Sequence, residues 1–311
     1  VGSEMCIRDS DKIAIEVGEI KFPPQDVLQL KSYYLSSSVH VDSIDYLIGY
    51  NYRLHSLDCM NLKSKSVTQI VLPGDGPDAI VRLSGIYAQS LDSVWISDES
   101  ERAFLIDSVG TIKRMIDLKK YLEDQEQLLI NTNYAMFTSH LFYNASRHSL
   151  MFLVKHTPSN TFIVKEAFID EVGKMATYQL SSSKVVPDMS KGYAYINFPN
   201  VNFVGENIVY NYPVESSIYM LDIRTNERKY ILADSHYTSN IIEKCTTSGD
   251  YATLEKHWLE NSHFYDIMYL PKYKIYARLH ADKVDFDEKK GMEKLINERD
   301  LYFCLLYTSP S

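Results

Sequence analysis

Four times along this chain an apolar segment runs into an aspartate and then a tight-turn sequence, at Asp58, Asp107, Asp170 and Asp222. The anchors stand 49, 63 and 52 residues apart. Each is preceded by another strand-like segment (42–48, 92–96, 148–154 and 206–210) and followed by a third (67–72, 111–116, 175–180 and 229–232). A further segment opens each unit, over residues 33–41, 81–90, 134–144 and 193–204. Four short strands recurring at roughly 50 residues are the signature of a β-propeller blade. One such sheet cannot bury both faces alone, so blades must stack. The anchoring aspartates have a local reason: a short carboxylate can accept hydrogen bonds from backbone N–H groups just ahead and fix the turn. Gly110 and Gly173 would supply the positive φ that such turns need.

A fifth unit opens at residues 264–270, turns at Pro271-Lys272 and returns through 273–279. Residues 13–20 read as one more strand, residues 118–128 as a short inserted helix, and residues 234–256 as an irregular connection. The ends differ from this body. Residues 1–10 read VGSEMCIRDS and residues 304–311 read CLLYTSPS. Both words can be written from one DNA element read in opposite orientations, and they resemble translated sequencing adapter. The expectation is therefore a single domain over residues 11–303, with adapter-derived 1–10 and 304–311 outside it. The expected fold is an all-β propeller of four-stranded antiparallel blades, six rather than seven, truncated at both ends.

The formal net charge is −9, which argues against a nucleic-acid partner because phosphate binding wants a basic face. No stretch approaches the 18 or so apolar residues of a membrane span. Within 11–303 only Cys59 and Cys245 remain, too far apart to define a metal spacing or a disulfide framework. The chain carries 24 tyrosines, which together with the scarcity of helical periodicity favours strands.

No nucleophile elbow, paired metal-ligand motif, phosphate loop or dinucleotide fingerprint is present. Residues 74–78 (GDGPD) lack the lysine and following helix of a phosphate loop and read as an interblade turn. Residues 98–101 offer hard oxygens to a calcium ion, but a charged interstrand loop is the commoner meaning. Catalytic, metal and cofactor-binding residues are accordingly not assigned. Aromatic side chains on or beside strands can stack on sugars or peptides when they line a propeller mouth. The loops carrying 51–53, 98–102, 155–160 and 212–216 are expected on one face. The weak binding candidates on that face are Tyr52, Arg53, Asp98, Glu101, Arg102, His156 and Tyr212.

Particular words then point to a family. Tyr50-Asn51 with Leu57-Asp58, Gly76-Pro77 before Leu83-Ser84-Gly85, and Leu91-Asp92-Ser93 through Leu105-Ile106-Asp107 resemble domain of unknown function 4221, a bacterial family. Tyr265-Asp266 followed by Tyr276-Ala277-Arg278 resembles its pattern of a Tyr-Asp turn and a Tyr-x-Arg return strand, with a departure at Pro271-Lys272-Tyr273. The resemblance implies a propeller exported to the bacterial envelope as a lipoprotein, touching membrane only through a lipid anchor. It supplies no catalytic residues. The expected role is non-enzymatic binding of a glycan, a peptide or an envelope protein on the loop face. The alternative is a propeller lyase or hydrolase with its site at a central channel, which needs several acids, bases or metal ligands converging there. A structural subunit is a third reading, marked by a large exposed apolar patch.

Overall fold

The structure, a computed structural model, describes residues 18–23, 33, 35–129, 141–185, 198–245 and 250–306. It is an all-β propeller whose sheets are antiparallel. Contacts divide the chain into two compact units, residues 15–179 and residues 180–311 with 1–14.

The first unit holds three blades. Blade 1 is β1 (Ser36–Val41), β2 (Ile44–Asn51), β3 (Ser56–Asn61) and β4 (Val67–Val71), hydrogen-bonded in chain order. Its first hairpin is a two-residue loop, Asp42 and Ser43, both with positive φ, the twist that suits a tight antiparallel turn. Blade 2 is β5 (Leu83–Ser90), β6 (Ser93–Asp98), β7 (Arg102–Ile106) and β8 (Ile112–Asp117). Blade 3 runs β10 (Leu141–Asn144), β11 (Ser149–His156), β12 (Thr161–Phe168) and β13 (Met175–Gln179), and β9 (Glu126–Leu128) pairs with β11 beside that path.

Strand alternation builds the core. On β6, Val94 and Ile96 pack with Ile48 and Leu57 of blade 1, whereas Trp95 between them packs with Leu150 and Phe152 of blade 3. β7 does the same, Phe104 and Ile106 one way and Ala103 the other. A period of two thus gives blade 2 two apolar faces, each covered by a neighbouring sheet. Blade 3 also buries charge. Lys165 is fully buried and its Nζ lies 2.7 Å from Glu126, which fastens β9. Next to it Glu166 accepts from Ser149 Oγ, Tyr178 Oη and Arg147 Nε.

The second unit holds two blades. Blade 4 is β14 (Asn200–Val204), β15 (Asn207–Asn211), β16 (Ile218–Asp222) and β17 (Arg228–Ile231). Blade 5 is β18 (His263–Leu270), β19 (Ile275–Ala281) and β20 (Leu301–Leu306), with α1 (Tyr251–Leu259) before it and α2 (Met292–Asn297) between its last two strands. Val209 and Ile218 of blade 4 share a core with Ile267, Tyr276, Cys304 and Leu306 of blade 5.

Several expectations are corrected. The described residues form five blades, not six or seven, and the fifth has three strands among them. β20 runs through Cys304 to Leu306, and both of these side chains are buried. Residues 118–128 hold one 3-10 turn, Leu118–Tyr121, and then β9. Asp117 caps that turn by accepting from Lys119 N, and Gln125 with φ 66° redirects the backbone into the strand. The 234–256 region, expected to be irregular, contains the start of α1, capped by Asp250 accepting from Thr253 N. The expected strand at 13–20 lies almost wholly outside the described residues, as do parts of the expected 134–144 and 193–204 strands.

The anchor aspartates divide. Asp107 Oδ1 accepts from Val109 N and Thr111 N, and Asp222 Oδ1 from Arg224 N and Thr225 N, as a turn-fixing carboxylate should. Gly110 and Gly173 have φ 85° and 80°. Asp58 opens no turn: it lies inside β3, fully buried, accepting from Asn51 Nδ2, Gln69 Nε2 and Tyr33 Oη. The turn after β3 is fixed by Asn61, whose Oδ1 accepts from Lys63 N and Ser64 N. Asp170 spends its carboxylate on Arg114 and His148.

Candidate functional site

Blade topology decides which loops meet. The turn between second and third strands and the connection leaving the fourth strand lie at the same end of an up-and-down sheet. In the first unit these loops are stitched together: Leu72 N donates to His55 O, Glu99 N to Arg82 O, Leu118 N to Glu101 O and Thr157 N to Gln125 O. The segments carrying Tyr52, Asp98 to Arg102 and His156 therefore share one end of their unit.

Between blades 1 and 2 that end opens into a cleft of about 600 Å³, within the range of about 300–1,000 Å³ usual for small-molecule sites. One wall is the β2–β3 turn, with Tyr50, Tyr52 and His55; the other is the segment entering blade 2, with Ile80, Val81 and Arg82. Gly74 lines it too, and a Cβ there would sit 3.7 Å from the His55 ring, so larger side chains at 74 would fill the opening. Tyr52 is 51 % exposed, while Ile80 is buried beneath.

The hydrogen bonds fix the wall. Tyr50 Oη is 3.0 Å from His55 Nδ1, and the rings meet edge to face. Burial pushes the Tyr50 hydroxyl above its ordinary range, partly offset by the Leu83 N–H that donates to it. The other ring nitrogen of His55, Nε2, is buried in the wall. That buried Nε2 has no hydrogen-bond partner among the described residues. Arg82 stands at the rim, half-exposed, 3.6 Å from an equally exposed Glu99.

Of the sequence candidates, Tyr52 lies in this cleft and Arg53 is exposed on the same turn. Asp98 and Arg102 stand behind the wall. Asp98 is fully buried and accepts from Val81 N, Ser100 N, Arg102 N and Arg102 Nη2, and Arg102 Nη2 also donates to Ala79 O. They position the segment that carries Val81 and Arg82. Glu101 turns the backbone with φ 64° and faces Lys119 at 3.6 Å. His156 Nδ1 is tied to Ser159 Oγ at 2.6 Å. Tyr212, in the second unit, is 1 % exposed, packed against Tyr210 and Tyr219, and donates to Ser181 O; it presents nothing to a ligand. No group of three or more His, Cys, Asp or Glu side chains able to hold a metal ion occurs among the described residues.

Sequence reasoning misses His55 and Arg82 because they become neighbours only across two loops. It misses two perturbed groups in blade 5 as well. The register slips between Phe264 and Ile267, a bulge that takes in Tyr265 and Asp266. Asparagine amides hold it, Asn200 Nδ2 donating to Phe264 O, Asn211 Nδ2 to Tyr265 O and Asn202 Nδ2 to Ile267 O. Burial pushes the Asp266 carboxyl up to about 7. Burial, helped by the Arg299 charge, pushes His263 down to about 3, and neither of its ring nitrogens has a hydrogen-bond partner among the described residues. A bulge and a perturbed carboxyl are features of active sites. Here the imidazole is fully buried, and no hydrogen bond joins it to Asp266 among the described residues.

The family model described as Domain of unknown function (DUF4221) matches residues 4–305. A crystal structure of a DUF4221 family member from Bacteroides vulgatus superposes with a TM-score of 0.71 at 14 % identity, covering 92 % of this chain and 81 % of that one. Hydrazine synthase from Kuenenia stuttgartiensis gives a TM-score of 0.42 at 12 % identity, covering 85 % of this chain and 69 % of that one. Oligogalacturonate lyase from Vibrio parahaemolyticus gives 0.41 at 9 % identity, covering 88 % and 65 %. No curated protein matches the chain.

Proposed function

This chain belongs to the DUF4221 family, and from that premise we propose that it is a non-enzymatic propeller that binds a ligand on its loop face, at the cleft between blades 1 and 2. The observation that carries the reading is the makeup of that cleft. An exposed aromatic ring, an apolar floor and a few hydrogen-bond donors surround an opening of ligand size, with no nucleophile beside a base and no pair of carboxylates among its lining residues. A glycan or peptide partner suits such a surface. Export to the bacterial envelope with a lipid anchor belongs to the same proposal and rests on the family resemblance. No helix among the described residues is long and apolar enough to cross a membrane, which leaves that proposal untouched.

The test is a binding screen of purified protein against arrays of oligosaccharides and peptides, repeated with Tyr52→Ala. Hits that disappear with Tyr52→Ala support the reading. Hits insensitive to Tyr52, or chemical conversion of a bound oligosaccharide, would move the function elsewhere on the molecule.

A further inference from the structure

We infer that the bulge of β18, with two asparagines of blade 4 that grip it, is a site for a hard metal cation, calcium by its oxygen chemistry. The site is independent of the cleft between blades 1 and 2. Asn200 and Asn211 stand opposite one another in the β14–β15 pairing. Their amides converge on one atom of blade 5. Asn200 Nδ2 donates to Phe264 O at 3.1 Å, and Asn211 Nδ2 reaches the same oxygen at 3.5 Å and Tyr265 O at 3.1 Å. Carbonyl acceptors fix how both amides are turned, since only the nitrogen can donate to them. Asn200 is 2 % exposed and Asn211 0 %, and the Oδ1 atom of each has no hydrogen-bond partner among the described residues. Buried acceptors normally have a partner, so two side by side mark a place for a donor or a positive charge.

Asp266 brings a negative charge to the same place. Asn211 grips the carbonyl of the Tyr265–Asp266 peptide unit and Asn202 grips Ile267 O, so the aspartate is held between two anchored carbonyls. Its part-buried carboxyl makes no hydrogen bond and no ion pair with the described residues, and desolvation alone governs it. A carboxylate drawn out of water calls for a counter-charge. A cation between it and the two amide oxygens supplies that charge and satisfies both acceptors at once. Water would satisfy the amides and leave the carboxylate uncompensated. Neutral amide oxygens with a single carboxylate suit calcium, which takes oxygen ligands in flexible geometry and fills its shell with water, whereas magnesium demands a near-ideal octahedron. One formal charge puts the affinity at the weak end of calcium sites, a Kd of about 10⁻⁴–10⁻³ M.

Thermal melting of the full chain, stripped with a chelator and then titrated with calcium chloride at constant ionic strength, tests this. The midpoint should rise saturably, half-way at about 10⁻⁴–10⁻³ M, and magnesium chloride should raise it less. Asp266→Asn keeps the size of the side chain and removes its charge, and should weaken calcium binding about tenfold or more. Asp75→Asn, at an exposed acid of the first unit, should bind calcium as the parent does. Melting of both variants without calcium checks that they fold. Hydrogen exchange on the parent gives a second readout: calcium should slow exchange in peptides covering residues 198–212 and 262–268. No shift of the melt at about 10 mM calcium would overturn the inference and leave water as the guest of the two amides. A shift that persists unchanged in Asp266→Asn, or protection confined to other peptides, would put the ion elsewhere and overturn it too.

Discussion

Removing one buried carboxylate should both destabilise the first unit and loosen the cleft. Asp98 accepts four hydrogen bonds, at 3.3 Å from Val81 N, 3.0 Å from Ser100 N, 3.2 Å from Arg102 N and 2.9 Å from Arg102 Nη2. Asp98→Ala removes the counter-charge of the Arg102 guanidinium, whose side chain is only 22 % exposed and which keeps its bond to Ala79 O while its Nε lacks a hydrogen-bond partner among the described residues. Breaking a buried ion pair by deleting one partner costs about 3–5 kcal/mol. The freed Val81 N–H adds to this, although losses within one network are not additive. A net loss of about 4 kcal/mol is expected. With a urea slope of about 2 kcal/mol per molar, the midpoint falls by about 2 M. Trp95, three residues earlier on β6, reports the transition by fluorescence in a Trp258→Phe background. Asp98→Asn should be nearly as harmful, because an amide nitrogen placed against Val81 N–H or Arg102 cannot accept. The paired change Asp98→Leu with Arg102→Met should recover much of the loss, since it leaves no uncompensated charge. A single Asp98→Ala variant within about 0.5 kcal/mol of the parent, the size of an ordinary surface change, would refute the burial reasoning.

Blades 2 and 5 supply three smaller predictions. His263, ionised in the unfolded chain below its ordinary range but held to about 3 when folded, draws protons preferentially to the unfolded state, so stability should fall as pH drops from about 6.5 toward 3. His263→Phe should flatten that slope in denaturation measured at several pH values. Asp266 acts in the opposite sense: its folded carboxyl titrates near 7, so its contribution is full below about 4 and lost as pH rises through 7. Asp266→Asn should therefore stabilise at pH 8 and be close to neutral at pH 4, and an unchanged difference across that window would contradict it. Gly110 has φ 85°, and a Cβ there would sit 2.4 Å from Val71 O, so Gly110→Ala should lower the thermal midpoint by several degrees, more than Gly173→Ala, whose added Cβ meets nothing within 4 Å.

Most strands are legible in the sequence because their physics is local. Alternation at β6 and the turn carboxylates at Asp107 and Asp222 can be read one hairpin at a time. Blade number is not, since nothing local in the repeat states how many sheets follow, and β20 arrives only after α2. The short helix expected at 118–128 fails because its apolar residues serve tertiary packing, Leu118 and Leu128 both entering the core shared with blade 3. α1 has a readable signal in Asp250 three residues before Thr253, hidden by the irregular sequence around it.

The site divides along the same line. Tyr52 can be found as an aromatic residue in a turn. Asp98 carries the look of a solvated loop charge, yet its neighbours' N–H groups and Arg102 draw it inside. Tyr212 looks like a loop aromatic, but three other tyrosines of blade 4, Tyr210, Tyr219 and Tyr230, build a packed cluster around that loop. Arg82 and His55 acquire meaning only when blades 1 and 2 are side by side.

The most direct measurement is hydrogen exchange with mass spectrometry on the protein, alone and saturated with the best oligosaccharide from the binding screen. A ligand in the blade 1–blade 2 cleft should slow exchange in peptides covering residues 50–56 and 73–83, with little change in blade 5. Protection centred instead on residues 263–267, or none within the first unit, would contradict the placement of the binding site.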